Sequence, residues 1–286
     1  MAVYKRSYRR FGGGLTPEWS RFLILPRYAC QDVLRSRLLL AFFVVCFAFP
    51  VGAAVLIYLR HNLSAMGLLN LCVADLISID NEFFVRFLSF QGTMAFLLSA
   101  FVGPGLVSAD LANNALPLYF CRPFSRTEYV VGKMCVLVIL LSLITWIPGL
   151  LLFLLQSNLE GTTWLYENLW IAAGVFLGSW IWILILSLLT LALSAWVKWR
   201  PIAGALLFGV FFVAAGFGKA INNIFYTRWG NLINMGELID TVWSHLFGLP
   251  SRTAVPIWSA WVALLAICIL CLGLLYRKVR AYEVVR

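Results

Sequence analysis

Charge is what this sequence has least of. Among 286 residues only 12% are Asp, Glu, Lys or Arg, about half the roughly 25% of an ordinary soluble domain. With 62% hydrophobic residues and a mean hydropathy of +0.91, a soluble core of this size has no room for the apolar surface. The class is therefore an integral, polytopic membrane protein. Histidine is scarcer still: His61 and His245 are the only two, and they lie far apart in the chain. A metal site built from them alone is not expected. No HExxH, GxSxG or paired-carboxylate spacing occurs, so the common hydrolytic constellations are missing. No acidic or basic residue falls in the central part of any long apolar run. Proton relays and ion-coupled carriers place ionisable groups there despite the cost of holding them in hydrocarbon. A phosphate-binding loop is missing too. Gly132-Lys133 and Gly218-Lys219 lack both the glycine five residues upstream and the Ser or Thr that should follow. Energy for any transport must come from another polypeptide.

Seven cysteines are present, mostly in or beside apolar runs. Cys268 and Cys271 form a CxxC inside one such run, without histidine or acidic neighbours, and read as packing residues rather than a redox or metal site. The first long apolar run begins at Leu38 and is a full span, so no secretory signal is expected.

The architecture expected is all-α, with a segment over residues 1–37 followed by a six-helix transmembrane domain over 38–286. The spans fall at about 38–59, 88–109, 134–155, 169–197, 201–218 and 256–276. Residues 1–14 form a basic arm with Lys5, Arg6, Arg9 and Arg10. Thr16 to Arg37 reads as a pair of interfacial helices broken near Pro26. In its second half Arg27, Gln31 and Arg35 share one face, and Ala29, Cys30, Val33 and Leu34 the other. Pro50 is expected to interrupt the first span, and Pro148-Gly149 to kink the third. Gly174 and Gly178 give the fourth span a GxxxG spacing that permits close helix approach. Residues 219–255 are too polar to cross, and read as re-entrant or interfacial helices, with an amphipathic candidate at Gly236 to Phe247. Of the 22 Lys and Arg residues, 17 fall on one side of this layout and five on the other. The asymmetry places both termini in the cytoplasm. The basic excess then reports topology, and nucleic acid is not an expected partner.

The most structured polar stretch is Gly103 to Lys133, between the second and third spans. Pro104, set between Gly103 and Gly105, must loosen the preceding helix. Asp110 is placed as the N-cap of a short helix from Leu111 to Tyr119, with Leu111, Ala115 and Leu118 on one face and Asn113 and Asn114 on others. Pro123 ends that helix. Ser125 and Glu128 form a capping box that opens the third span. Arg122, Arg126 and Lys133 supply cations. A plain hairpin needs none of this, and the expected purpose is docking of a partner.

The run DLANNALPLYFCRPFSRTEYVVGK resembles the cytoplasmic loop of ABC transporter permeases of the type-2 exporter family. The matching letters are Arg122, Pro123, Ser125, Arg126, Glu128, Tyr129, Gly132 and Lys133. The segment ending in Arg35-Ser36-Arg37 is similar to that family's elbow helix, and the polar stretch between spans five and six to its external gate region. The resemblance implies a six-span half-transporter in a bacterial cytoplasmic membrane, pairing with a second permease copy as a homodimer or heterodimer. It also implies a separate ATPase subunit that binds ATP and Mg, with no cofactor bound by this chain. The docking surface it implies is a coupling helix carrying Asp110, Leu111, Asn114, Ala115, Leu118, Tyr119, Arg122 and Arg126. The family's second and fifth spans line the pathway, which marks Gly103, Pro104, Gly105, Ala205, Gly209 and Gly216 as pathway or packing candidates. Two other readings stay open: a membrane-integral enzyme acting on lipid, for which His61, Asp75, Asp80 and Glu82 are the available side chains, and a non-transporting assembly or sensor subunit on the same plan.

Overall fold

A computed structural model describes residues 23–62, 79–120, 125–250 and 255–278. The basic arm, residues 16–22 of the expected interfacial pair, Asp75, Arg122 and Pro123 lie outside the described residues. No strand occurs among those described. Six helical stretches are long and apolar enough to cross a membrane: Arg37–His61, Asn81–Ala112, Arg126–Glu160, Thr162–Trp196, Arg200–Phe225 and Ile257–Lys278. The regular structure among the described residues is all helical, and the six long apolar helices are consistent with a multi-pass membrane protein.

The first helix, α1 (Ile24–Arg35), is amphipathic as expected. Ala29, Cys30 and Val33 pack on the core, and Arg27, Gln31 and Arg35 are exposed. Pro26 sits inside its first turn, where the missing N–H costs no intrahelical hydrogen bond. One detail differs: Leu34 faces outward.

The first span, α2 (Arg37–His61), runs unbroken through Pro50. Proline removes the N–H that would bond the carbonyl four residues back, here that of Cys46. The Gln91 side chain, fully buried, donates to that carbonyl at 3.2 Å. In hydrocarbon a freed backbone group must find such a partner.

Span two is α3 (Asn81–Val102) followed by α4 (Pro104–Ala112), joined at Gly103. Span three is α6 (Arg126–Ile144) followed by α7 (Trp146–Glu160), with the five-residue α5 (Leu116–Phe120) before them. The interruption in span three falls at Thr145, not at Pro148-Gly149 itself. The proline ring collides with the carbonyl of the residue four before it, which is Ile144, so the helix must yield there. Thr145 steadies the break by donating its hydroxyl to the Leu141 carbonyl at 2.8 Å.

Span four, α8 (Thr162–Trp196), is the centre. Its most apolar stretch is 72% buried, and α3, α4, α6, α7, α9 (Arg200–Phe225) and α11 (Ile257–Lys278) all pack against it. Spans one, five and six stand at the periphery, at 22%, 17% and 17%. Span five is longer than its hydropathy suggests. The expected end near Gly218 is corrected to Phe225, with Tyr226 in the left-handed region closing the helix. Lys219 and Asn222 lower the local hydropathy, yet Asn222 is satisfied within the fold. It donates to Asn231 at 2.6 Å and accepts from the Gly230 N–H at 2.8 Å.

After a short 3-10 turn at Trp229–Leu232, α10 (Met235–Leu246) covers the candidate placed at Gly236 to Phe247. Its aromatic side chains correct the GxxxG expectation. A Cβ on Gly174 would meet the Phe247 ring at 3.1 Å, and one on Gly178 would meet Trp243 at 3.0 Å. The notch in α8 therefore receives two side chains rather than a neighbouring helix backbone. The Trp243 indole donates to the Gly178 carbonyl at 3.0 Å, and the Trp182 indole to that of Gly92 at 2.9 Å.

Candidate functional site

The link between spans two and three is built from two local signals. At the end of α4 the N–H of Ala115 bonds the carbonyl of Asp110 at 2.8 Å, and that of Asn114 the carbonyl of Leu111 at 3.4 Å. Asn114 has φ 51°. This is the Schellman pattern, with asparagine in the left-handed position that glycine usually takes. The placement of Asp110 as an N-cap is therefore corrected: it lies in the last turn of α4, and the single helix expected over Leu111 to Tyr119 is divided by a turn at Asn113 and Asn114. The rule that misplaced it is symmetric in sequence. Asp before an apolar run reads as a start, and only the left-handed Asn114 shows that the preceding helix is ending.

The second signal is as expected. The Glu128 N–H donates to Ser125 Oγ at 3.2 Å, and the Ser125 N–H to Glu128 Oε2 at 2.6 Å. This reciprocal box starts α6.

The two helix ends meet in a polar cluster. Lys133 Nζ lies 2.8 Å from Asp110 Oδ2, and the Tyr129 hydroxyl donates to the same oxygen at 2.7 Å. The two side chains of the ion pair are only 10% and 15% exposed, and Tyr129 is fully buried. Lys133 also stands over the Tyr129 ring, 5.6 Å from its centroid. Tyr119 packs on Tyr129, ring centroids 5.5 Å apart, and Leu116 and Leu111 complete the apolar jacket. Burial first, and then the nearby Asp110 carboxylate, push the Tyr119 phenol above its ordinary pKa. With its charge countered and its oxygen doubly hydrogen-bonded, Asp110 joins span two to span three through one carboxylate oxygen.

A further polar graft holds α4 to the central helix. The Ser108 N–H donates to Ser194 Oγ at 3.0 Å, and the Ser194 hydroxyl donates to the Pro104 carbonyl at 2.9 Å. A side chain of span four thus inserts into the backbone ladder of α4, one of the recognised ways to loosen a helix. Gly103 makes the approach possible, because a Cβ there would collide with Thr190 and the Ser99 carbonyl.

Beside the cluster opens a groove of about 1120 Å³ between α1, the start of α2, the α3–α4 junction and the start of α9. It brings Pro104, Gly105, Asp110, Tyr119 and Ala205 into one lining, with Lys133 and Arg200. Gly209 and Gly216 do not join them and face open space on α9. Leu118 projects outward at 72% exposed, and Asn114 and Arg126 are exposed as well. Leu111, Ala115 and Tyr119 are half-buried. So the apolar face proposed from the sequence is divided: Leu118 is presented, while Leu111 and Tyr119 hold the element to the bundle.

Sequence reasoning missed the roles of Tyr129, Lys133, Gln91 and Ser194. A signal existed for the first two, since Tyr129 and Lys133 are four apart on α6 and share a face. Of the side chains available to a lipid enzyme, Glu82 pairs with Arg86 at 2.8 Å, and His61 lies 3.2 Å from Glu160. Among the described residues no group of three His, Cys, Asp or Glu is placed to hold a metal. No protein-family model matches the chain, and no curated protein matches it in sequence.

Proposed function

We propose that this chain is the membrane-spanning subunit of an ABC-type exporter, moving its substrate with ATP hydrolysed by a separate subunit that grips the α4–α5 link. The observation that carries the reading is the combination of a free tip and an anchored root. Leu118 stands in solvent at the tip. At the root, Asp110, Tyr129 and Lys133 bind the link to the first turns of span three, and Ser194 binds α4 to span four. A push on the tip reaches three spans without first being absorbed by a slack loop. Buried, hydrogen-bonded contacts of this kind transmit displacement because they have few alternative arrangements. On this reading the chain works with a second permease copy, through the weakly buried spans at its periphery, in a bacterial cytoplasmic membrane with both termini inside. The elbow role belongs to α1, and the external gate role to the segment around α10.

The test is co-purification from the native membrane. The wild-type chain should bring down an ATPase subunit, and Leu118→Asp should reduce that recovery about tenfold or more, as loss of an apolar anchor at an interface centre does. Undiminished recovery from a folded Leu118→Asp protein would refute the docking site.

A further inference from the structure

The groove beside the Asp110–Lys133 pair has a charge pattern of its own. Four ionisable groups of fixed charge line it: Asp32, Asp110, Lys133 and Arg200. Asp110 and Lys133 neutralise one another. Arg200 and Asp32 pair with none of the described residues. The Arg200 guanidinium lies over Gly105, at ordinary van der Waals distance from where a Cβ would stand. One cation and one anion without a partner among the described residues therefore line a mostly apolar groove that includes Leu39, Phe101 and Phe208, with Tyr28, Ser36 and Tyr119.

Its dimensions are those of one bilayer leaflet. Arg200 opens α9, and Phe208 lies eight residues further along the helix, about 12 Å deeper at 1.5 Å per residue. Half of a hydrocarbon core of roughly 30 Å is about 15 Å. The volume, about 1120 Å³, exceeds the roughly 300–1,000 Å³ of ordinary small-molecule sites. Charged groups and a mostly apolar lining that runs about one leaflet's length along α9 fit a molecule with a polar head and a long tail. A cation and an anion lining the same groove, neither paired with a described residue, fit a head that carries both signs.

We infer that this groove is a binding site for a zwitterionic phospholipid, its phosphate on Arg200, its ammonium on Asp32 and its acyl chains against Phe101 and Phe208. The site goes beyond the exporter reading and stands whether or not a motor docks on Leu118.

The test is native mass spectrometry of the purified, delipidated chain, titrated with phosphatidylethanolamine, phosphatidylglycerol and the chainless glycerophosphoethanolamine. Phosphatidylethanolamine should be retained at one per chain, on the order of tenfold more tightly than phosphatidylglycerol, and the chainless head not at all. Arg200→Ala should cost on the order of tenfold in retention, the loss of one charge-assisted hydrogen bond. Asp32→Asn should leave phosphatidylglycerol unchanged and erase the preference. Ala205→Trp, at an exposed position in the groove wall, should block retention without changing thermal unfolding. It serves if Arg200→Ala does not fold. Equal retention of both lipids by the wild type, full retention by Arg200→Ala or Ala205→Trp, or binding of the chainless head as tightly as the lipid would overturn the site. So would a cysteine at Ala205 that cross-links two chains in native membrane, because the occupant would then be protein.

Discussion

The two ends of this helical bundle are closed by different means. At the end carrying α10, aromatic rings fill notches left by glycine. Trp243 and Phe247 seat on Gly178 and Gly174, Trp182 reaches the Gly92 carbonyl, and the backbones of Gly218 and Gly230 touch. At the end carrying the α4–α5 link, the joint is an ion pair with a tyrosine together with the Ser194 graft onto α4, and a groove remains open beside it. Lipid tails are as apolar as leucine, so burial alone does not sort helices within a membrane. Steric fit and polar bonds do. At the aromatic end α10 is held by ring packing and indole hydrogen bonds to backbone carbonyls, with the His61–Glu160 contact joining spans one and three, which suits a fixed plug. The charged end rests on a few polar bonds, one carboxylate oxygen between spans two and three and one serine between spans two and four, which suits a lever.

That contrast can be broken experimentally, most severely at Asp110. Asp110→Ala leaves Lys133 buried without a counter-charge, and about 3–5 kcal/mol of stability should be lost, read as thermal unfolding in detergent. The double variant Asp110→Leu with Lys133→Met should recover most of that loss, since an apolar pair can replace a buried ion pair. It should still fail to couple to a motor if the lever reading holds. No recovery would mean the carboxylate has a role besides countering the lysine.

At the other end the damage should be steric. A Cβ on Gly92 would lie 2.7 Å from the Trp243 ring and 3.2 Å from the Trp182 indole nitrogen. Gly92→Val should therefore cost about 1–3 kcal/mol through overpacking. A loss that Trp243→Phe leaves unchanged, instead of partly relieving, would show that the plug does not depend on this contact. The smallest effect belongs to the start of α6. Ser125→Ala removes one side of the capping box and should cost about 1 kcal/mol, visible as a small fall in unfolding temperature. It should also sharpen the comparison, because a fray there lies next to Tyr129 and should weaken the lever more than the plug.

Local features are legible in the order of residues alone. The Ser125–Glu128 box needs only four residues, and the six apolar runs need only their own hydropathy. Both stand where the sequence put them, give or take the ends of the spans. Features that depend on what lies opposite are not legible in this way. Gln91 reads as a stray polar residue until Cys46 is seen to have lost its partner to Pro50. Gly174 and Gly178 announce close approach, but not whether a helix or a ring will fill the space. Asp110 carries a spacing that suits either end of a helix, and its partners are 19 and 23 residues away, beyond the turn at Asn113 and Asn114.

The sequence by itself determined that six stretches of this chain are long and apolar enough to cross a membrane, that no GxxxxGK[ST] spacing occurs in it, and that its link between spans two and three is structured. Those properties follow from composition and from hydrogen bonds closed within a turn. The tertiary structure alone decided that span four is central, that Asp110 ends a helix instead of beginning one, and that Arg200 and Asp32 face one groove. Each of these depends on which helix packs against which. In a bilayer that choice is made by small residues and a few polar side chains meeting across the bundle, and one strand of letters does not say which of them meet.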